Sequence, residues 1–200
     1  MIDQYTIKIF KPFLELVASI FYKIGVNANY ISLFGLILSF LSFYLILRDL
    51  NIIALFLFLF GRILDGIDGI IANKTKITEF GGFIDIVFDF ISYSLVPLAF
   101  ILKDNSNAIF GSILLATFFG TSSTFFGIAI FEKNKFIKKN HEKSFFHVGG
   151  FMGGTVTIFF LSLMFLFTEK FNLIALTFSI LCIISTIERI FYAYIILDKD

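Results

Sequence analysis

Read along its apolar positions, the 200-residue chain divides into six long hydrophobic runs, approximately 30–48, 51–73, 80–102, 107–131, 150–168 and 171–196. Each approaches the roughly 20 apolar residues that a helix needs to cross a bilayer. Short polar breaks part most of them: Arg48-Asp49, Lys74 to Glu79, Lys103 to Ser106 and Glu169-Lys170. One longer polar stretch, Glu132 to His147, parts the fourth run from the fifth. Ahead of the first run, Ile2, Tyr5, Ile9, Phe13, Leu16, Val17 and Ile20 recur at helical spacing, with Lys8, Lys11, Glu15 and Lys23 between them. That segment lacks the compact apolar core and small-residue cleavage site of a signal peptide. It reads as an amphipathic helix over 1–24 that lies in the membrane interface, the alternative being an ordinary part of the bundle. The expected architecture is an all-α integral membrane protein, with this helix followed by one six-span domain over 25–200.

Composition agrees. Apolar residues make up 58% of the chain and charged residues 16%, against roughly 25% charged in a soluble domain. Too few polar side chains exist to wet a surface of this size. A net charge of +1 predicts no nucleic-acid partner. The single cysteine, Cys182, excludes an internal disulfide and a cysteine metal cluster. The basic residues are unevenly spread. Eleven lysines fall in the N-terminal segment, the second and fourth connections and the C-terminus, against Arg48, Lys103 and Lys170 on the other side. This bias predicts a multi-pass inner-membrane protein with both termini in the cytoplasm.

Ionisable groups inside spans are costly and mark function. They are Arg62, Asp65, Asp68, Asp85, Asp89, Glu188 and Arg189. Asp65 and Asp68 share a face of the second span, and Asp85 and Asp89 share a face of the third. At about 1.5 Å of rise per residue, both pairs lie about 8–14 Å inside the cytoplasmic ends of their helices. The short turn between the spans predicts antiparallel neighbours whose four carboxylates meet in one pocket. Such a cluster cannot ionise fully without cations. All-oxygen ligands favour Mg²⁺, Mn²⁺ or Ca²⁺ over zinc, and two divalent ions would balance four negative charges. Two-metal sites of this kind clamp the attacking and leaving oxygens in phosphoryl chemistry. Gly66, Gly69, Gly81 and Gly82 would admit either a close helix neighbour or a bulky polar ligand. Arg62, three residues before Asp65, is expected to pair with it locally.

These residues resemble the CDP-alcohol phosphatidyltransferases, whose pattern is D-x2-D-G-x2-A-R-x7or8-G-x3-D-x3-D. Asp65, Asp68, Gly69, Ala72, Gly81, Asp85 and Asp89 match at the right spacing, and Asn73, followed by Lys74, stands where the pattern has arginine. The resemblance implies transfer of a phosphatidyl group from a CDP-linked lipid donor, usually CDP-diacylglycerol, to a small alcohol in phospholipid biosynthesis, with release of CMP. It implies two Mg²⁺ or Mn²⁺ ions on Asp65, Asp68, Asp85 and Asp89, with Asp89 also the catalytic base. Gly69 and Ala72 would make room for cytidine, beside Asn73 and Gly81. A homodimer is implied on the same ground. Gly25 to Asn29 is similar to an Asn-containing motif ahead of the first span in many members, which would bring Asn29 to the nucleotide or make it a helix cap. Asp89 to Pro97 is similar both to a serine-transferring branch and to uncharacterised bacterial inner-membrane members, and Phe80 to Phe100 with Gly120 to Thr124 resembles the latter more. Lys74, Lys143 and Arg189 are candidates for an acceptor site opening to the cytoplasm, Lys143 otherwise serving topology and Arg189 otherwise reaching up to the interface. The competing class is a divalent-cation transporter with an aspartate-lined path. The nearly bare outer halves of the second and third spans favour the enzyme.

Overall fold

Seven α-helices and two single 3-10 turns make up the regular structure of residues 2–136 and 153–197, the residues described by the computed structural model. The helices are α1 (Ile2–Ile24), α2 (Ala28–Leu47), α3 (Asn51–Lys74), α4 (Glu79–Lys103), α5 (Ala108–Phe136), α6 (Gly154–Leu166) and α7 (Phe171–Leu197). The amphipathic segment becomes α1, and each apolar run becomes one of α2 to α7. By length and composition, the segments Ala28–Leu47, Glu79–Lys103, Asn105–Phe131 and Thr168–Leu197 suffice to cross a membrane. That is four where six were expected. α3 is long enough but carries Arg62, Asp65 and Asp68, and α6 has only 13 residues.

Local chemistry fixes the ends. Gly25, at φ +77°, turns the chain out of α1, and the Val26 N–H returns to the Phe21 carbonyl at 3.2 Å. Asn27 then caps α2, its side chain accepting from the Asn29 N–H at 2.9 Å. Thr78 caps α4 in the same way, through the Gly81 N–H at 3.0 Å. At the other end of the bundle, Lys103 reaches Asp49 at 2.7 Å and ties the end of α4 to the α2–α3 turn. Nearby, the Ser106 backbone N–H donates to Asp104 and holds its carboxyl below the usual range.

α2 packs along both α3 and α4, whereas α3 and α4 make little backbone contact with each other. The expected neighbours α3 and α4 therefore meet through side chains rather than backbone: α2 is the scaffold for both, and a gap remains between the α3 and α4 backbones. The α2–α3 seam is lined by small residues. Ser32, Gly35, Ser39 and Ser42 are all buried on α2 at spacings of three or four. A Cβ on Gly35 would stand 3.2 Å from the Gly61 carbonyl oxygen, and one on Gly61 3.1 Å from that of Gly35. Backbones this close exclude side chains and gain dispersion and weak C–H···O contacts. Ser42 adds a hydrogen bond to the Ala54 carbonyl at 2.8 Å.

The two ends of the bundle differ. At the end holding the C-termini of α2, α4 and α6, the fully buried rings of Phe58, Phe100, Phe165, Phe171 and Phe178 form a packed aromatic core. Phe58 lies 5.6 Å and Phe100 5.9 Å from Phe165, and Phe100 lies 5.3 Å from Phe171. At the opposite end a smaller cluster of Ala18, Ile31, Leu38, Leu64, Ile67 and Ile71 packs α1 and α2 onto α3. Many large apolar side chains, among them Phe34, Phe56 and Phe119, face outward.

The Gly35–Gly61 crossing makes Gly61→Val a specific probe. It should cost about 1–3 kcal/mol by overpacking, read as easier unfolding in denaturing detergent by circular dichroism. Gly69→Ala, whose Cβ meets nothing within 4 Å, should leave that transition unchanged. Equal behaviour of the two would remove the crossing as the point of closest approach.

Candidate active site

The aspartates sit where the aromatic core ends. Carboxylate oxygens of Asp65, Asp68 and Asp85 all lie within 4.8 Å of one another. Asp68 is buried and accepts a short hydrogen bond from Ser32 of α2. Asp89 is separate in its partners. One oxygen is held by the guanidinium of Arg62, and the other accepts from the Tyr93 hydroxyl at 3.3 Å. Arg62 also stands 3.7 Å from Asp65, so the expected local pair forms, but the closer contact is to Asp89 across the gap. Arg62 Nη2 donates to Ser92 Oγ at 3.2 Å.

Among the described residues, neither Asp68 nor Asp85 has a basic side chain within ion-pair distance. Three carboxylates this close, with Arg62 beside Asp65 as their one cationic neighbour among the described residues, keep a net negative charge that fits a hard divalent cation. The residues present therefore suit Mg²⁺ or Mn²⁺.

Two cavities flank the cluster. The larger, about 770 Å³, is lined by Asp68, Gly69, Ala72, Asn73, Gly81, Gly82 and Asp85, with Asn29 and Ser32 from α2 and Lys23 and Lys76 at its rim. Added Cβ atoms at Gly69 and Gly82 meet nothing within 4 Å, so these glycines hold space open rather than pack helices. Gly66 is different: its missing Cβ accommodates Leu14 of α1 at 3.2 Å. Gly81 is crowded, with Thr78 Oγ1 at 2.8 Å and Asn29 Oδ1 at 3.1 Å from a built Cβ. Asn29 thus faces the cavity, and the cap is Asn27. Asn73 donates back to the Gly69 carbonyl at 2.8 Å.

The smaller cavity, about 280 Å³, lies between α4, α5, α6 and α7. Asp89, Tyr93, Thr121, Thr157 and Arg189 supply its polar groups, and Phe90, Phe118 and Phe125 its walls. Arg189 is buried and donates to the Thr121 carbonyl at 2.9 Å. The alternative in which it reaches up to the interface is therefore set aside.

Of the acceptor candidates, Lys74 and Arg189 do not converge. Lys74 turns away to Ser19 of α1, at 3.1 Å, and lines neither cavity. Lys143 lies outside the described residues. Ser32, Ser92 and Tyr93 were not singled out from the sequence, although each is a polar residue within an apolar span, one helical step from an expected site position.

The model of the CDP-alcohol phosphatidyltransferases matches residues 26–188. The chain belongs to this family. As a CDP-alcohol phosphatidyltransferase it is a transferase enzyme. Its full length is similar to an inner membrane protein of Escherichia coli strain K12, YnjF, at 34% identity over 202 residues, 100% of this chain and 98% of that one. An uncharacterized protein of Aquifex aeolicus strain VF5 is 36% identical over 122 residues, 58% of this chain and 62% of its own. Among solved structures, the fold is shared with a phosphatidylinositol phosphate synthase of Mycobacterium tuberculosis, PgsA1, crystallised with CDP-DAG bound. The TM-score is 0.66 at 14% identity, covering 90% of this chain and 93% of that one. With its apolar helices and its inner-membrane relative, this phosphatidyltransferase is membrane-embedded.

The Ser32–Asp68 hydrogen bond yields a test that needs no substrate. Ser32→Ala leaves a buried carboxylate short of a donor and should destabilise the protein in chelator by about 1–3 kcal/mol, while Ser32→Thr should not. Identical unfolding of Ser32→Ala and wild type would dismiss the bond.

Proposed function

We propose that the chain transfers the phosphatidyl group of a CDP-linked lipid, CDP-diacylglycerol or a close analogue, to a small polar alcohol, with release of CMP, as a step in phospholipid synthesis. The observation that carries this reading is the Asp65–Asp68–Asp85 trio, two of whose members, Asp68 and Asp85, line a cavity kept open at Gly69 and Gly82. The larger cavity takes the CDP end of the donor, beside Asn29, Asn73 and Gly81, and the smaller takes the acceptor, beside Asp89 and Arg189. Lys23 and Lys76 at the rim of the larger cavity attract the anionic donor. Arg189 favours an acceptor with an anionic group, in a role sketched from sequence for Lys74 and Lys143 as well.

The chemistry follows from these positions. The acceptor hydroxyl oxygen attacks the phosphorus that bears the lipid. The bond from that phosphorus to the bridging pyrophosphate oxygen breaks, and its electron pair leaves with CMP. Asp89 takes the hydroxyl proton as the new P–O bond forms. Asp65, Asp68 and Asp85, with Asp89 at their margin, would hold two Mg²⁺ or Mn²⁺ ions, which supply neutralisation of the pyrophosphate and of the leaving oxygen. The same reading has α2 to α7 as six spans, α1 at the interface, both termini and the site on the cytoplasmic side, and a homodimer on family grounds. The domain limits are 1–24 and 25–200. The transporter alternative is disfavoured by the packed phenyl rings opposite the site, which offer no polar path.

Membranes containing the protein, incubated with labelled CDP-diacylglycerol and a panel of glycerol 3-phosphate, serine, inositol, inositol phosphate and choline, should release CMP only with Mg²⁺ or Mn²⁺. Calorimetry should find donor binding lost in chelator. Undiminished binding there would sink the metal-dependent model, and turnover with choline alone would defeat an anionic acceptor.

Asp89→Asn should lower turnover about 10²–10⁴-fold with donor binding largely kept, whereas Asp65→Asn should weaken metal and donor binding together. Activity surviving Asp89→Asn would remove it from the base role.

A further inference from the structure

Arg62 is among the most buried charges in the protein, at 9% exposure, in a chain where burying a charge is costly. It stands on α3 one turn before Asp65 and reaches across the gap that the backbones of α3 and α4 leave open. Its guanidinium serves four groups at once: Asp89 by direct contact, Asp65 at 3.7 Å, Ser92 Oγ at 3.2 Å, and the face of Tyr93 with the ring centroid 5.2 Å away. Tyr93 in turn donates to the second oxygen of Asp89. Both oxygens of Asp89 are thereby fixed. Asp89 lines the smaller cavity, while Asp68 and Asp85 line the larger.

We propose that Arg62 is a positioning residue that holds Asp89 at the edge of the aspartate cluster and turned to the smaller cavity. Asp65, Asp68 and Asp85 then carry the cations, and Asp89, at their margin, is kept for the acceptor hydroxyl. The second half of this division rests on the reaction proposed above; the first rests on geometry. A planar fork suits this arrangement, since the guanidinium bonds Asp89 and Ser92 through separate nitrogens while its central carbon lies over the Tyr93 ring, contacts that a lysine would have to make from a single nitrogen. The positive charge also has a direct consequence. Within 4 Å of two carboxylates, it lowers the attraction of the whole cluster for a further cation.

That sign separates positioning from mere support. In purified full-length protein without nucleotide, Mn²⁺ binding is followed by electron paramagnetic resonance, and CMP release is measured in parallel. Arg62→Met should bind Mn²⁺ about tenfold tighter or more, while CMP release falls about a hundredfold with donor binding kept. A purely structural Arg62 would weaken Mn²⁺ binding and turnover together, and that result, or unchanged Mn²⁺ affinity, overturns the proposal. Arg62→Lys keeps the charge and loses the fork, so Mn²⁺ affinity should match wild type while turnover drops. If Arg62→Met does not fold, Arg62→Lys decides alone: joint loss of both readouts overturns the assignment. Wild type that binds Mn²⁺ but releases CMP from no CDP-alcohol would defeat the reaction, and the Mn²⁺ comparison would still judge Arg62.

Discussion

Negative charge inside a low-dielectric bundle has to be answered locally, and most of this structure near the site can be read as the answer. Asp68 is met by a serine hydroxyl from α2, Asp89 by a guanidinium from α3 and a phenol from α4. Asp65 shares that guanidinium at 3.7 Å, and Asp85 is left with Asp65 and Asp68. Protein groups thus compensate part of the cluster and leave the rest for a cation. A site compensated fully by its own side chains would have no affinity for metal, and one not compensated at all would resist folding.

The scaffold for this division is α2. Its stripe of Ser32, Gly35, Ser39 and Ser42 lets α3 come within backbone contact, and the same approach carries Ser32 to Asp68. Because α2 touches both α3 and α4, those two can stand apart without the bundle loosening. The space between them is then occupied by polar side chains, Arg62 above all. Close packing on one seam makes an open seam possible beside it.

Much of the site was legible in the chain. Helical periodicity was enough to put Asp65 with Asp68, whereas Asp85 and Asp89, one turn apart, line different cavities; of the four glycines, Gly69 and Gly82 leave room and Gly66 and Gly81 are crowded. The spacing of these residues also carried the family. Tertiary geometry was harder, because a short turn argues for contact between α3 and α4, and nothing local says that a third helix will take that contact. The serine and glycine stripe of α2 was a readable signal for it. Individual side-chain directions were less accessible. Two asparagines two positions apart at the start of α2 compete for one cap, and Asn27 takes it, which frees Asn29. Lys74 had an equally long reach toward either cavity or α1, and Ser19 settles it. Arg189 lies close enough to a helix end to reach the interface, but the Thr121 carbonyl holds it inside. α6 falls short of its expected span among the described residues because its helix begins at Gly154.

The aromatic core at the far end has a consequence for access to the aspartates. Phenyl rings packed at 5–6 Å between centroids leave, among the described residues, no polar route along the bundle axis for a charged group. A charged ligand at the aspartates therefore has to enter and leave from the same end of the bundle. On the proposed reaction one lipid donor is exchanged there for one lipid product, so each turnover would change a headgroup and leave the number of lipids on that side constant.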